Sequence, residues 1–136
     1  MIKFNKLKPD AQLPQRSSKG SAGYDFHIYE DAEFYPGQTR KLETHIGVEM
    51  PENVQMDLHA RSSLFPKRGF EMVNSPGIID SDYHDGIKIS LTNRNPIPMT
   101  LKKGERVAQG VFSYYLLTAE DNATGERLGG IGSSGR

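Results

Sequence analysis

Cysteine is absent from all 136 residues of the sequence. Disulfide bonds and zinc sites with thiolate ligands are therefore excluded. Long apolar runs are missing too, since no stretch approaches the ~20 residues that a membrane-spanning helix needs. The N-terminal stretch MIKFNKLKPD lacks the apolar core of a signal peptide. We therefore expect a protein with no membrane partner, located in the cytoplasm, or in an intracellular compartment of a host if it is viral.

An excess of charge of either sign is also lacking. Lys plus Arg and Asp plus Glu each total 17, so no overall field attracts the protein to nucleic acid or to a membrane surface. A local basic patch is compatible with this balance. We expect no nucleic-acid partner. The length fits one domain with a modest core.

Apolar and polar residues alternate along several short segments. Tyr24, Phe26 and Ile28 show the pattern, and it recurs at 54–58, 87–91 and 97–101. Successive side chains of a strand point to opposite faces, so each segment predicts a strand with one buried face. Short strands at close spacing, separated by turn residues, predict an all-β sandwich, jelly roll or barrel.

A long helix is not indicated anywhere, but one or two helical turns could begin at Ser62-Ser63, whose hydroxyls can cap free amides. The strand pattern ends near Thr118, and residues 118–136 are rich in Gly and Ser. Composition alone favours a disordered tail. The alternative is a mobile arm whose glycines let backbone amides approach a phosphate closely.

Three polar segments interrupt the strand pattern. Arg61-Ser62-Ser63 offers one guanidinium and two hydroxyls, which can bind an anion or simply form a capped turn. In Arg106-Val107-Ala108-Gln109, the glutamine by itself is typical of a residue that satisfies a backbone group. Each of these segments alone favours the structural interpretation.

The third polar segment is GIIDSDY at 77–83. Ile78 and Ile79 place the backbone of Asp80 in or beside the core, so its carboxylate should be paired or used. Such a carboxylate can take a proton from water and direct the resulting nucleophile. A structural Asp that accepts turn amides explains the residue equally well. Tyr83 could offer a ring to a sugar or base, or be half-buried.

Taken in order, five segments resemble the five motifs of the trimeric dUTP pyrophosphatase (dUTPase) family, over nearly the whole chain. They are GSAGYDF at 20–26, RSSL at 61–64, GIIDSDY at 77–83, GERVAQ at 104–109 and GGIGSSG at 129–135. The order and spacing are specific. The resemblance implies an all-β jelly-roll or β-barrel subunit of a homotrimer, with a catalytic domain at 1–117 and a flexible C-terminal arm at 118–136 that closes an active site.

The resemblance also implies an activity, the hydrolysis of dUTP to dUMP and pyrophosphate by attack of water on the α-phosphorus. This reaction limits uracil in DNA and supplies dUMP for thymidylate synthesis. Asp80 matches the general base of the family, and Gln109 matches a residue that orients phosphate or the nucleophilic water. Tyr83 matches the ring that packs on deoxyribose and leaves no space for a 2′-hydroxyl.

Substrate-binding residues follow from the same resemblance. Backbone groups of the hairpin around Gly77, Ile78, Ile79 and Lys88 would read uracil, with Asn74 as a side-chain contributor. The phosphate-binding positions and the residues of the arm form a second set: Arg61, Ser62, Ser63, Arg127, Ile131, Gly132, Ser133 and Ser134. Mg²⁺ is implied as cofactor, bound mainly by the triphosphate. Asp25 matches a carboxylate that reaches the ion through water.

The sequence departs from the family pattern at three places. Ile131 stands where a Phe usually stacks on uracil, which forgoes ~0.5–1.5 kcal/mol. Arg127 lies one residue nearer to the paired glycines than usual, and Glu126 takes the usual place. The glycine after Tyr83 is displaced by one residue, to Gly86.

Three alternatives stay open at this point. A dCTP deaminase of similar fold would need a Glu-centred site, for which the sequence has no counterpart. A regulatory protein with a nucleotide-gated arm would bind a protein partner, and this role is compatible with catalysis. A structural jelly-roll subunit would explain the strands but not the five polar motifs.

Overall fold

The structure, a computed structural model, describes residues 1–127. Within that range it contains eleven β-strands and one short α-helix, which confirms the predicted all-β class. In chain order the elements are β1 (Lys3–Lys6), β2 (Tyr24–His27), β3 (Ala32–Phe34), β4 (Thr39–Glu43), β5 (Ile46–Glu49), β6 (Val54–Ala60), α1 (Leu64–Arg68), β7 (Phe70–Met72), β8 (Gly77–Ile79), β9 (Lys88–Asn93), β10 (Met99–Leu101) and β11 (Arg106–Tyr114).

The strands pair in antiparallel fashion, mostly with partners that are distant in the chain. A four-stranded sheet has the order β2-β11-β6-β8, and a three-stranded sheet has the order β4-β9-β7. Two further pairs are β1-β5 and β3-β10. Because β11 lies between β2 and β6, Gln109 stands opposite both Asp25 and His59. This pairing brings three of the polar segments to one sheet.

The core forms where the alternating apolar residues face inward. Met56 and Leu58 of β6 are buried, whereas the polar residues on either side of Leu58 are partly exposed. Phe26, Phe34 and Phe70 have no exposed surface. Burying such a side chain stabilises the fold by ~1.5–3 kcal/mol. The strands that carry the polar segments are therefore held firmly by the core.

The helix α1 begins directly after Ser62-Ser63, as predicted. The prediction of a capping bond is wrong, because the Ser63 side chain makes no cap hydrogen bond. Ser63 is itself in a helical conformation (φ −88°, ψ −9°), so its hydroxyl is not aimed at the free amides. Gly69 ends the helix in the left-handed region (φ 70°), where glycine carries no Cβ penalty.

The last strand ends at Tyr114, and residues 115–127 contain no strand or helix. The backbone N–H of Tyr115 donates to the carbonyl of Asn53 at 3.0 Å, which fixes the start of this segment. In the part of the chain that the structure describes, no helix could cross a bilayer.

Candidate active site

A buried carboxylate between two arginines forms the first group of site residues. Asp25, on β2, is 5% exposed. Arg61, just beyond β6, has its Nε 3.4 Å from Asp25 Oδ1. Arg106, the first residue of β11, has its Nη1 3.5 Å from Asp25 Oδ2. Two guanidinium groups share one carboxylate, so the group keeps a net positive charge that suits an anion.

Gln109 lies beside this group on β11. Its Nε2 donates to the carbonyl of Ala60 at 3.3 Å, as the structural interpretation of a strand glutamine anticipates. The backbone of Gly23 packs so closely that a Cβ there would lie 2.2 Å from Gln109 Oε1. Glycine in the GSAGYDF segment thus leaves space for the glutamine side chain. The sequence alone did not reveal this contact.

Ser63 of the RSSL segment borders a basic cavity of about 490 Å³. Its lining includes Arg61, Ser63, Lys67, Arg68 and Arg106. The basic side chains in this lining outnumber the acidic ones. Ser62 is exposed on the same turn. Since Ser63 makes no capping bond, its hydroxyl is not committed to the free amides of the helix.

His27 is a residue of this region that the sequence did not single out. Its Nδ1 is buried, and it has no hydrogen-bond partner within residues 1–127. Burial lowers the pKa of His27, and the positive charge of Arg106 lowers this pKa further, against the opposing effect of Asp25. The imidazole is therefore neutral at neutral pH and adds no charge to the site.

The turn after β8 carries the second group of residues. The Asp80 side chain is 54% exposed, so its carboxylate is not buried beside the core, although it is paired, with Arg127. The strand β8 has only three residues, and Ile78 is itself 62% exposed. Only Ile79 is buried, at 5% exposure. The Asp80 carboxylate turns outward, where water reaches it.

Arg127 binds both acidic residues of this turn. Its Nε lies 2.9 Å from Asp82 Oδ1, and its Nη2 contacts Asp80 Oδ2. The hydrogen bond from Arg127 holds the pKa of Asp82 below its usual value. The Arg127 side chain is only 13% exposed, although it belongs to a segment without helix or strand.

Tyr83 is buried, at 2% exposure. Its hydroxyl donates to the carbonyl of Gly86 at 2.7 Å, and burial raises its pKa. The guanidinium carbon of Arg127 lies 5.8 Å from the ring centroid. The ring is thus held in place by the turn and has a cation over it.

A cavity of about 440 Å³ lies between the strands β8 and β9. It is lined by all five residues that the resemblance assigns to uracil: Asn74, Gly77, Ile78, Ile79 and Lys88. Asn74 adopts φ 57°, a left-handed conformation that asparagine tolerates better than most residues. Lys41 also lines the cavity and was not anticipated from the sequence. The Nζ atom of Lys88 lies 3.3 Å from Glu43 Oε1.

The structure brings the predicted residues together in two separate groups. Within residues 1–127, no hydrogen bond or ion pair joins the group around Asp25 to the group around Asp80. The same residues contain no cluster of His, Cys, Asp or Glu that could by itself hold a metal ion. Ile131, Gly132, Ser133 and Ser134 lie outside the described residues.

Comparisons with known proteins match nearly the whole chain and agree on one family. A family model described as dUTPase matches residues 9–135. The deoxyuridine 5′-triphosphate nucleotidohydrolase of Nautilia profundicola is 34% identical over 140 residues, which cover 99% of each chain. That of an Anaeromyxobacter species is 36% identical over 133 residues, covering 94% of this chain and 90% of the relative.

Solved structures give the same result for the fold. The crystal structure of dUTPase from Streptococcus mutans has a TM-score of 0.79 at 33% identity, covering 85% of this chain and 97% of that chain. A dUTPase from phage phi11 of S. aureus has a TM-score of 0.81 at 20% identity, covering 94% and 98%, which shows likeness of fold alone. The expected dUTPase-like fold is thereby confirmed. The chain belongs to the dUTPase family and is a dUTP diphosphatase, which hydrolyses dUTP to dUMP.

Proposed function

We propose that the reaction is a Mg²⁺-assisted attack of water on the α-phosphorus of dUTP, with Asp80 as the general base. The observation that carries this proposal is the position of Asp80. It directly follows Ile79, which lines the cavity assigned to uracil, and its carboxylate is exposed to water. A base beside the bound nucleoside stands near the first phosphate. It accepts one proton from water as the oxygen attacks phosphorus, and pyrophosphate leaves.

Recognition of the nucleoside is assigned to the β8–β9 cavity. Backbone groups of Gly77, Ile78, Ile79 and Lys88 present fixed donors and acceptors, and Asn74 adds a side-chain amide. A rigid pattern of this kind fits uracil and mismatches cytosine, and a narrow hairpin excludes the thymine methyl. Tyr83 packs on the deoxyribose in the proposed complex and leaves no space for a 2′-hydroxyl.

The phosphates are assigned to the basic group around Asp25. Arg61 and Ser63 line a cavity whose lining carries excess positive charge, with Ser62 exposed on the same turn, and such a site binds phosphate oxygens through charge-assisted hydrogen bonds. Gln109, held beside Asp25 by the sheet register, orients a phosphate or the attacking water. Arg127 is proposed to become a further phosphate ligand when substrate is bound.

The donor set of the chain fits a magnesium ion that arrives with the triphosphate. One carboxylate oxygen, Asp25 Oδ2, is ion-paired with Arg106 at 3.5 Å but accepts no hydrogen bond within the described residues, so it retains the capacity to accept one from an ion-bound water. Mg²⁺ usually keeps several waters and needs few carboxylates. Bound in this way, it neutralises charge on the phosphates and fixes their shape. The phi11 relative is described as coordinating a structural Mg(II) ion.

The separation of the two groups supports an active site built from more than one chain. A nucleotide held in the β8–β9 cavity needs phosphate ligands beside it, yet no hydrogen bond or ion pair within residues 1–127 joins Arg61 to Asp80. A homotrimer, in which Arg61 of one subunit faces Asp80 of another, meets this need. In this proposal residues 1–117 form the catalytic domain, and residues 118–136 form the arm that closes the site.

Isotope labelling tests the proposed chemistry. Hydrolysis of dUTP with Mg²⁺ in ¹⁸O-labelled water should place one labelled oxygen in dUMP and none in pyrophosphate, since the α-phosphorus is attacked. Mass spectrometry of both products reads the result. Label in the pyrophosphate would show attack at the β-phosphorus and contradict the mechanism.

In the cell, the product dUMP would serve thymidylate synthesis, and removal of dUTP would limit uracil in DNA.

A further inference from the structure

One contact of the turn after β8 has no place in the proposed reaction. Arg127 is attached to the turn by Asp82 and Asp80 together, and its guanidinium covers the Tyr83 ring. The surrounding segment, residues 118–126, is exposed. The Arg127 side chain is mostly covered, although the segment before it is exposed. Because residues 115–127 form no helix or strand, the side-chain contacts of Arg127 hold it in place.

We propose that Asp82 is a positioning residue that docks the C-terminal segment through Arg127, so that in the substrate-free protein this arginine contacts Asp80 and lies over the Tyr83 ring of its own chain. The inference rests on the proposed roles of Asp80 as general base and Tyr83 as sugar contact. We call the contact of Arg127 with Asp80 and Asp82 the resting latch.

The resting latch and the substrate compete for the space at Asp80 and Tyr83. A guanidinium has five N–H donors and no acceptor, and it does not give up a proton in proteins. While it donates to Asp80 Oδ2, it engages one oxygen of a carboxylate that otherwise stays exposed to water. Arg127 also occupies the space over the Tyr83 ring, where the sugar is expected to pack. The sugar can therefore pack on the Tyr83 ring only after Arg127 has been displaced.

The triphosphate is well suited to displace the resting latch. Its oxygens accept the same bidentate hydrogen bonds as carboxylates and carry more negative charge. The guanidinium released from Asp80 and Asp82 can then bind phosphate. Asp82 thus holds Arg127 near the site without itself touching the reacting atoms. The depressed pKa of Asp82 agrees with a carboxylate that is ionised and bound to a cation.

Trypsin cleavage after Arg127 measures the resting latch without any catalytic readout. Cleavage there releases residues 128–136 as a peptide that mass spectrometry can follow, and a docked Arg127 is protected. The full chain is compared with Asp82→Asn and with the matched control Asp85→Asn. Asp85 is exposed in the same turn and forms no ion pair within residues 1–127. Release from Asp82→Asn should be about two- to fivefold faster than from the other two proteins, as expected for a partly exposed ion pair.

Equal release from all three proteins would overturn the proposal. A kinetic readout separates it from a merely structural role: the KM for dUTP of Asp82→Asn should fall, with kcat retained, because substrate no longer competes with the latch. An unchanged KM, or a lower kcat at unchanged KM, would also contradict it. If Asp80 is not the general base, the trypsin result stays the same. The two proposals can therefore be refuted independently of each other.

A second variant covers the case in which Asp82→Asn does not fold. In Arg127→Gln, the NMR titration of the Asp82 carboxyl should move up toward the ordinary value of 3.8. Arg127 lowers the pKa of Asp82 most, against the opposing effect of desolvation, and a backbone hydrogen bond and His84 lower this pKa less. An Asp82 pKa that is equal in the two proteins would show that Arg127 does not dock there.

Discussion

Replacing Gly23 by alanine tests whether the GSAGYDF segment positions Gln109. A Cβ at residue 23 would lie 2.2 Å from Gln109 Oε1 and 3.0 Å from Gln109 Cβ. The amide oxygen can swing away, but the Gln109 Cβ is fixed because β11 is paired on both sides. The side chain must then leave its hydrogen bond to Ala60. Overpacking of this kind costs ~1–3 kcal/mol.

Turnover of dUTP should fall together with stability. A displaced positioning group lowers the rate by about 10²-fold, so we expect kcat for dUTP to fall by roughly 10–100-fold in Gly23→Ala. Gly20→Ala is the matched control, since a Cβ there meets nothing within 4 Å. Steady-state kinetics and thermal unfolding of both variants provide the comparison. Equal kcat in the two variants would refute the positioning of Gln109 by Gly23.

Two further predictions concern the core and the arm. Gly110→Ala would place a Cβ 2.5 Å from the sulfur of Met56 and 3.1 Å from Phe26. It should lower the free energy of unfolding by ~1–3 kcal/mol, whereas Gly125→Ala, with nothing within 4 Å, should not; equal Tm values would contradict this. Truncation before Thr124 should preserve the trimer in light scattering and sharply lower dUTP turnover, and a fully active truncated protein would assign no catalytic role to the arm.

The strands were predictable from the sequence because the alternation of apolar and polar residues that produces them lies within each segment. Alternation at Met56 and Leu58 alone indicates a strand with one buried face, and the structure has that strand. The start of the helix after Ser63 was visible for the same reason. The capping bond was not, because it depends on the conformation that the chain adopts at Ser63 itself.

The environments of the site residues depend on contacts that are distant in the chain. The sequence places the backbone of Asp80 beside the core, yet the Asp80 side chain is exposed to water. It lies on the same side of the short strand β8 as Ile78, which is also exposed. Tyr83 is fully buried by packing that its own segment does not encode. Within the described residues the buried Nδ1 of His27 has no hydrogen-bond partner, and His27 stands opposite Arg106 of β11. No pattern within one segment signals these effects.

The assignment of Asp80 as general base is tested most directly by Asp80→Asn. Calorimetry with a non-hydrolysable dUTP analogue and turnover of dUTP should be measured on the same preparations, with Asp85→Asn as the control of equal charge change. Loss of a general base lowers the rate by about 10²–10⁴-fold. We predict a loss of kcat in that range, with folding and nucleotide binding retained. Near-normal turnover of Asp80→Asn would contradict the central claim.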